Sequence, residues 1–459
     1  MSRQDQRFLL PVLFLVVLAP LGTAEIELVA DMNIKGGGIL EAAALAGWGY
    51  FSHNDGASGA ELWRSDGTQT GTALFADLRP GGASSAPADF AVADGRLWFS
   101  ADGGDGRELW VSDGTPAGTR QVVDLVADGG SDPGAIGPAA GGIIFYATTP
   151  AAGREPWFSD GTAAGTVQLA DIYPGATSSV ESTSVFDLRV WGQMGDRRVF
   201  SAKDDQEGIE LWISDGTPAG TRLIEPSNSW SGFNEGRYFG TELVQVGDRC
   251  YFNGGGYLQS TDGDRIEQVG SLRNPRDLCH LDGALYAVIN NKDLYRIADD
   301  GADRASIHTA SSAILNLSAA AGRLWFRDSP PGGGGGELWV GDASGSTFVD
   351  DLFPGSSGSE PTDFVELDDT RVVFLARRSA GASPAEQFEL WISDGSAANT
   401  QVVDAIDPAG LGINEVDSWP VATADGLVFW SVSYPGEQGV LAASDGSTGN
   451  RFGTAVSLE

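Results

Sequence analysis

Apolar residues in this chain come in short runs of about five, broken by Gly and Asp, and no helical period is sustained past the first two dozen residues. Residues 89–125 show the pattern. Asp89–Ala93 is a short apolar segment, Asp94-Gly95 a turn dipeptide, and Arg96–Ala101 a second segment with aromatic residues on both parities. A Gly/Asp loop at 102–106 leads to Glu108–Ser112, and Asp113–Thr119 then turns the chain into Gln121–Leu125. This reads as four strands in an antiparallel meander. Consecutive bulky residues, as in Leu97-Trp98-Phe99 and Ile143-Ile144-Phe145-Tyr146, require both faces of the sheet to be buried. A blade packed between two other blades meets that requirement, whereas a sandwich sheet wets one face. The expected fold is therefore all-β, a β-propeller of four-stranded antiparallel blades.

The unit recurs. A Glu-x-Trp core appears at Glu61–Trp63, Glu108–Trp110, Glu155–Trp157, Glu210–Trp212, Glu337–Trp339 and Glu389–Trp391, with degenerate copies at Tyr257–Gly263, Asp293–Gly301 and Val440–Gly446. The steps between copies run from 36 to 55 residues, most often 47, the signature of one supersecondary unit in array. Second strands are expected to begin near Gly47, Gly95, Gly141, Asp196, Asp248, Gly283, Gly322, Thr370 and Gly426. These nine units exceed the roughly four to eight blades of most propellers. Eight blades with an additional hairpin, or two smaller propellers, therefore stand beside one nine-bladed ring. The weakest junction is Glu225–Thr241, where the Asp-Leu-x-Pro-Gly exit of other units is missing. Glu25–Met32 resembles a fourth strand without its first three, and Gly453–Leu458 looks like a fourth strand of its own, so the two either compete for the slot that would close the ring or pair side by side.

Glu108-Leu-Trp-Val-Ser-Asp-Gly-Thr115 and its relatives resemble the bacterial ELWxxDGT repeat family, over nearly all of Glu25–Glu459. The resemblance implies a secreted or surface β-propeller-like protein and brings no established enzymatic activity. Departures from the motif are Pro156, the stretch Gly341-Asp342-Ala343, and the loss of Trp in the fifth, sixth and ninth copies.

The ends and the charge narrow the setting. Arg3 and Arg7 precede the apolar run Phe8–Leu18, and small residues follow up to Ala24, so residues 1–24 read as a cleavable signal peptide and 25–459 as one propeller domain. The apolar run is short for a bilayer span and is interrupted by Pro11 and Pro20. The mature chain is expected outside the cytoplasm, without a membrane span and monomeric. The full sequence has 28 basic and 63 acidic residues, a net charge of −35, and a surface so acidic repels nucleic acid and anionic membranes. In an oxidising compartment Cys250 and Cys279, in neighbouring repeats, become candidates for a disulfide.

The candidate chemistry is weighed residue by residue. Asp66, Asp113, Asp160, Asp215, Asp262, Asp394 and Asp445 recur at one position of a Ser-Asp-Gly-Thr turn reminiscent of the Asp-box. Recurrence in blade after blade argues for a structural turn, the carboxylate accepting N–H bonds from its own loop. The acidic loops Asp55–Glu61, Asp102–Glu108 and Asp204–Glu210 offer oxygen ligands to calcium, but none has the full spacing of a calcium loop. No cofactor is expected. The recurring Trp residues read as blade-to-blade packing. Trp230, Phe233, Tyr238 and Phe239, in the irregular insertion Asn228–Thr241, are the candidate binding residues for a protein or glycan ligand. His53, His280 and His308 lie in different repeats with no nucleophile motif near them, and no hydrolase or phosphate-loop motif occurs. The expectation is a non-enzymatic binding or surface scaffold. An extracellular carbohydrate-active enzyme on the same fold, needing two carboxylates about 5–10 Å apart, is the alternative.

Overall fold

The computed structural model describes residues 42–65, 71–180, 191–205, 209–226, 243–298, 304–354, 358–378 and 387–402, and the backbone of four later strands. They form a β-propeller of nine sheets, one for each repeat. Blade 1 comprises Ala42–Leu45, Trp48–Asn54, Ala60–Ser65 and Ala73–Ala76. Blade 2 comprises Ala88–Ala93, Arg96–Asp102, Arg107–Ser112 and Arg120–Gln121. Blades 3, 4, 6, 7 and 8 follow the same antiparallel order, their second strands being Gly142–Thr149, Arg197–Lys203, Ala284–Ile289, Arg323–Asp328 and Arg371–Arg378. In the ninth sheet, Glu415–Val416 and Val421–Ala422 pair with opposite ends of Val428–Tyr434, which pairs with Glu437–Ser444. The ring-closing candidates Glu25–Met32 and Gly453–Leu458 lie outside the described residues.

Strand parity sets the packing. In the second strand of blade 2, Leu97, Phe99 and Ala101 join a core with Tyr50, Leu62 and Phe75 of blade 1. Trp98 points the other way, into a core with Ile143, Phe145 and Ala147 of blade 3. The scheme repeats through blades 7 and 8, where Trp325 and Leu338 meet Phe364, Val372 and Phe374. Successive first strands pack on one another, so each blade's edge toward the axis is covered by its neighbours. Within a blade, the motif Trp faces a second-strand Phe in register, as in Phe99 with Trp110, Phe326 with Trp339 and Phe374 with Trp391. Their rings stack at centroid separations of 6.2–6.4 Å.

Two details depart from the expected strand pattern. The last strand of blade 2 pairs only over Arg120–Gln121, not to Leu125, because the chain peels off after Val122 to reach the next blade. At the irregular junction, Glu225–Pro226 leaves blade 4 and adds itself in parallel to the outer strand Arg265–Arg273 of blade 5, making that sheet five-stranded. Cys250 and Cys279 form no disulfide. Cys250 is buried between blades 4 and 5, whereas Cys279 packs against the core between blades 6 and 7, so two sheets separate the side chains. Burial pushes the Cys250 thiol up to about 12.

Candidate functional site

The motif Glu is a buried tether. Glu61, Glu108, Glu155 and Glu337 are at most 2% exposed, and each carboxylate turns to the loop that carries the chain to the next blade. Glu61 accepts from the N–H groups of Leu78 and Ser85, both at 2.8 Å, and from the Ser85 hydroxyl at 2.6 Å. Glu337 accepts from Leu352 N at 3.0 Å, Ser359 N at 2.9 Å and Ser359 Oγ at 2.5 Å. Glu155 accepts from Ile172, Tyr173 and Ser179, and Glu108 from Ser131. The Ser lies 22–24 residues after its Glu, a pairing present in the sequence but visible only once the loop is folded back. Close approach of that loop explains the glycine two residues before Glu108. Gly106 has φ +117°, and a Cβ there would stand 2.3 Å from the Gly129 carbonyl carbon. Burial pushes the Glu155 carboxyl up to about 7 against its donors, and Glu108 and Glu337 are raised in the same way.

The Ser-Asp-Gly-Thr turn is equally self-contained. In blade 2, Asp113 Oδ1 accepts from Thr115 N at 2.9 Å and Thr115 Oγ1 at 2.7 Å, and Gly114 takes φ +87°. Ser112 and Thr119 hydroxyls meet at 2.7 Å, and Thr119 donates to Thr115 O at 2.8 Å. Asp160, Asp215 and Asp394 repeat the arrangement in blades 3, 4 and 8. The bond from the turn threonine holds the Asp113, Asp160 and Asp215 carboxyls below their ordinary range. Asp262 accepts from Asp264 N and Arg265 N. Asp66 and Asp445, and the aromatic candidates Trp230, Phe233, Tyr238 and Phe239, lie outside the described residues.

Two of the loops considered for calcium bond inward, and the third, Asp204–Glu210, includes residues outside the described ones. Asp55 accepts from Ala57 and Ser58, and Asp102 accepts from Gly104 and Gly106 and pairs with Arg79. Among the described residues no group of three or more His, Cys, Asp and Glu side chains is arranged to hold a metal ion.

Blade 7 differs. Its third strand ends Gly341-Asp342 and its turn is two residues shorter than that of blade 2, with Ser346 opposite Gly341. Ser346 Oγ lies 2.8 Å from Nδ1 of His308 in the last strand of blade 6, and His308 Nε2 lies 2.8 Å from Asp328 Oδ2 at the end of blade 7's second strand. The other carboxylate oxygen, Asp328 Oδ1, accepts from Ser329 N at 2.6 Å and Ser312 Oγ at 3.5 Å. The imidazole is held against Trp339 and Phe326, with centroids 4.6 and 5.2 Å away. Ser346 is half-buried. A cavity of about 250 Å³ beside this turn is lined by Arg323, Val340, Asp342 and Thr347 among others, whose side chains lie on the face of the sheet turned toward blade 8 and away from His308. In sequence His308 has no nucleophile motif near it; the fold brings it to Ser346 from the adjacent blade, 38 residues away. The visible signal was the loss of Ser-Asp-Gly-Thr at 341–346.

Comparison with known proteins adds only structures. No family profile matches the chain, and no curated protein matches it. Among solved structures it is similar to the computationally designed Ika8 protein, with 12% identity and a TM-score of 0.42 over 91% of this chain and 98% of that one. It is also similar to the β-propeller domain of the Trilobed protease from Pyrococcus furiosus, at 12% identity and TM-score 0.39, covering 79% of this chain and 96% of that one. A prolyl endopeptidase structure matches at 11% identity and TM-score 0.43, with 86% of this chain covering 54% of that one. Among the described residues no helix is long and apolar enough to cross a membrane.

Proposed function

We propose that this propeller is a secreted binding or surface scaffold of the ELWxxDGT repeat type, contacting protein or glycan ligands through positions outside the repeated motif. The observation that supports it is the use of the repeated polar groups. The motif Glu is buried under donors from the next inter-blade loop, and the turn Asp accepts from its own backbone. Groups so occupied hold the array together and are not free to act on a ligand. Recognition then falls to irregular segments on the rigid frame, with the aromatic insertion Asn228–Thr241 first among them.

The test is a glycan array and a panel of cell-surface fractions probed with the labelled mature chain from Glu25 onward, beside a variant with Trp230, Phe233, Tyr238 and Phe239 changed to Ala. Binding that the variant loses at unchanged melting temperature supports the reading. Release of new reducing ends from a polysaccharide in the same panel would replace it with the carbohydrate-active enzyme.

A further inference from the structure

Ser, His and Asp meet at the junction of blades 6 and 7, at positions where blade 2 or blade 1 has a turn Thr or an Ala. Ser346 stands where blade 2 has Thr119, the residue that closes the turn on Ser112 and Thr115. Gly341 deletes the serine partner, so the Ser346 hydroxyl is not taken up by its own turn and reaches blade 6 instead, 2.8 Å from His308 Nδ1 and, more distantly, 3.4 Å from the Ile307 carbonyl. Asp328, opposite Glu337, occupies the place of Ala101, Ala147 and Ala202, each opposite its own motif Glu. His308, opposite Leu294, occupies the place of Ala76 opposite Leu62 in blade 1.

We propose that Ser346, His308 and Asp328 form a nucleophilic triad that hydrolyses short-chain esters, an activity beyond the scaffold reading and independent of it. Asp328 accepts the Nε2 proton and is itself fixed through Oδ1, which leaves the Nδ1 lone pair of His308 directed at Ser346. The logic is that of a serine hydrolase with the imidazole turned end for end. His308 Nδ1 takes the hydroxyl proton as Ser346 Oγ bonds to the ester carbonyl carbon, and the same proton passes to the leaving alcohol as the C–O bond breaks. Water then attacks the acyl-serine, giving its proton to His308, and the released Ser346 oxygen recovers it as the carboxylic acid departs. Ser346 is half-buried, which limits the acyl group that reaches its hydroxyl to a few carbons. Asp328 is a positioning residue in this scheme.

A buried His–Asp pair bridging two blades would need no reactive serine, and that difference makes the proposal testable. The full chain is treated with a fluorophosphonate probe, the labelled residue is mapped by mass spectrometry, and p-nitrophenyl acetate turnover is followed in parallel. Covalent labelling of Ser346 is expected, with turnover falling about 100-fold in Ser346→Ala. That residue is half-buried and closes no turn, so Ser346→Ala should fold with at most a small loss in melting temperature, which keeps the comparison valid if His308 variants do not fold. Asp328→Asn should lower kcat with little change in KM, an effect that a purely structural role would not produce. Absence of label at Ser346 in protein with native circular dichroism, or full turnover in Ser346→Ala, would overturn the proposal.

Discussion

The turn between third and fourth strands is one object in blade 2 and another in blade 7. In blade 2 the side chains of Ser112, Asp113, Thr115 and Thr119 all bond within the turn, from the Ser112–Thr119 hydroxyl pair to the doubly bonded Asp113. In blade 7, a glycine at 341 and a turn two residues shorter leave Ser346 bonded across the blade boundary to His308. The same backbone ladder supports both. A repeat locks polar groups into structure, and a local break in the repeat frees them for other contacts.

The largest effect that tests this contrast lies beneath the turns. Trp98→Ala should cost about 3–5 kcal/mol, because the side chain is fully buried between blades 2 and 3 and its removal leaves a cavity. Chemical denaturation of the two proteins measures it. Glu337→Ala should cost about 2–4 kcal/mol, since it strands the donors of Leu352 and Ser359, while Glu337→Gln keeps one acceptor and should lose less. If both cost the same, the carboxylate is not the tether that holds the inter-blade loop.

A smaller effect is expected with pH. Glu155 rises to about 7 in the folded protein from an ordinary 4.5, through burial, and Glu108 and Glu337 move in the same direction. The folded state therefore binds protons more tightly than the unfolded chain, and stability rises as pH is lowered from about 8 toward 5. Asp113, Asp160 and Asp215 have the opposite sign, so their contribution is lost as pH falls below about 4. Melting temperature followed across this range should pass through a maximum on the acid side of neutrality. A maximum near pH 8 would contradict it.

The smallest effects separate the two turns directly. Thr166→Val in blade 3 should cost about 1 kcal/mol, because Ser159 Oγ and Thr162 O lose their partner. Ser346→Ala in blade 7 should cost at most about 1 kcal/mol, through the lost partner of His308 Nδ1 and not through its turn, so the local turn should stay as protected from hydrogen exchange as in the parent. Grafting 112–119 in place of 341–346 sharpens the comparison further. The graft should melt no lower than the parent and should lose any reactivity at the blade 6–7 junction.

Strand parity made the architecture legible. Consecutive bulky residues such as Leu97-Trp98-Phe99 demanded two buried faces, and the Gly/Asp turns set four strands per unit; the second strands start within two residues of the positions read from the repeat. The position of the turn Asp was equally readable, because its partners lie two residues away in the chain. Local periodicity and short-range hydrogen bonds are properties of sequence order, and the chain alone determined them. Contacts between blades are not. Whether Cys250 meets Cys279, which loop receives the carboxylate of Glu337, and that Ser346 reaches His308 depend on how each sheet is rotated against the next. No spacing along the chain encodes that rotation. Only the tertiary structure decided these, because two side chains 38 residues apart become neighbours through the packing of everything between them.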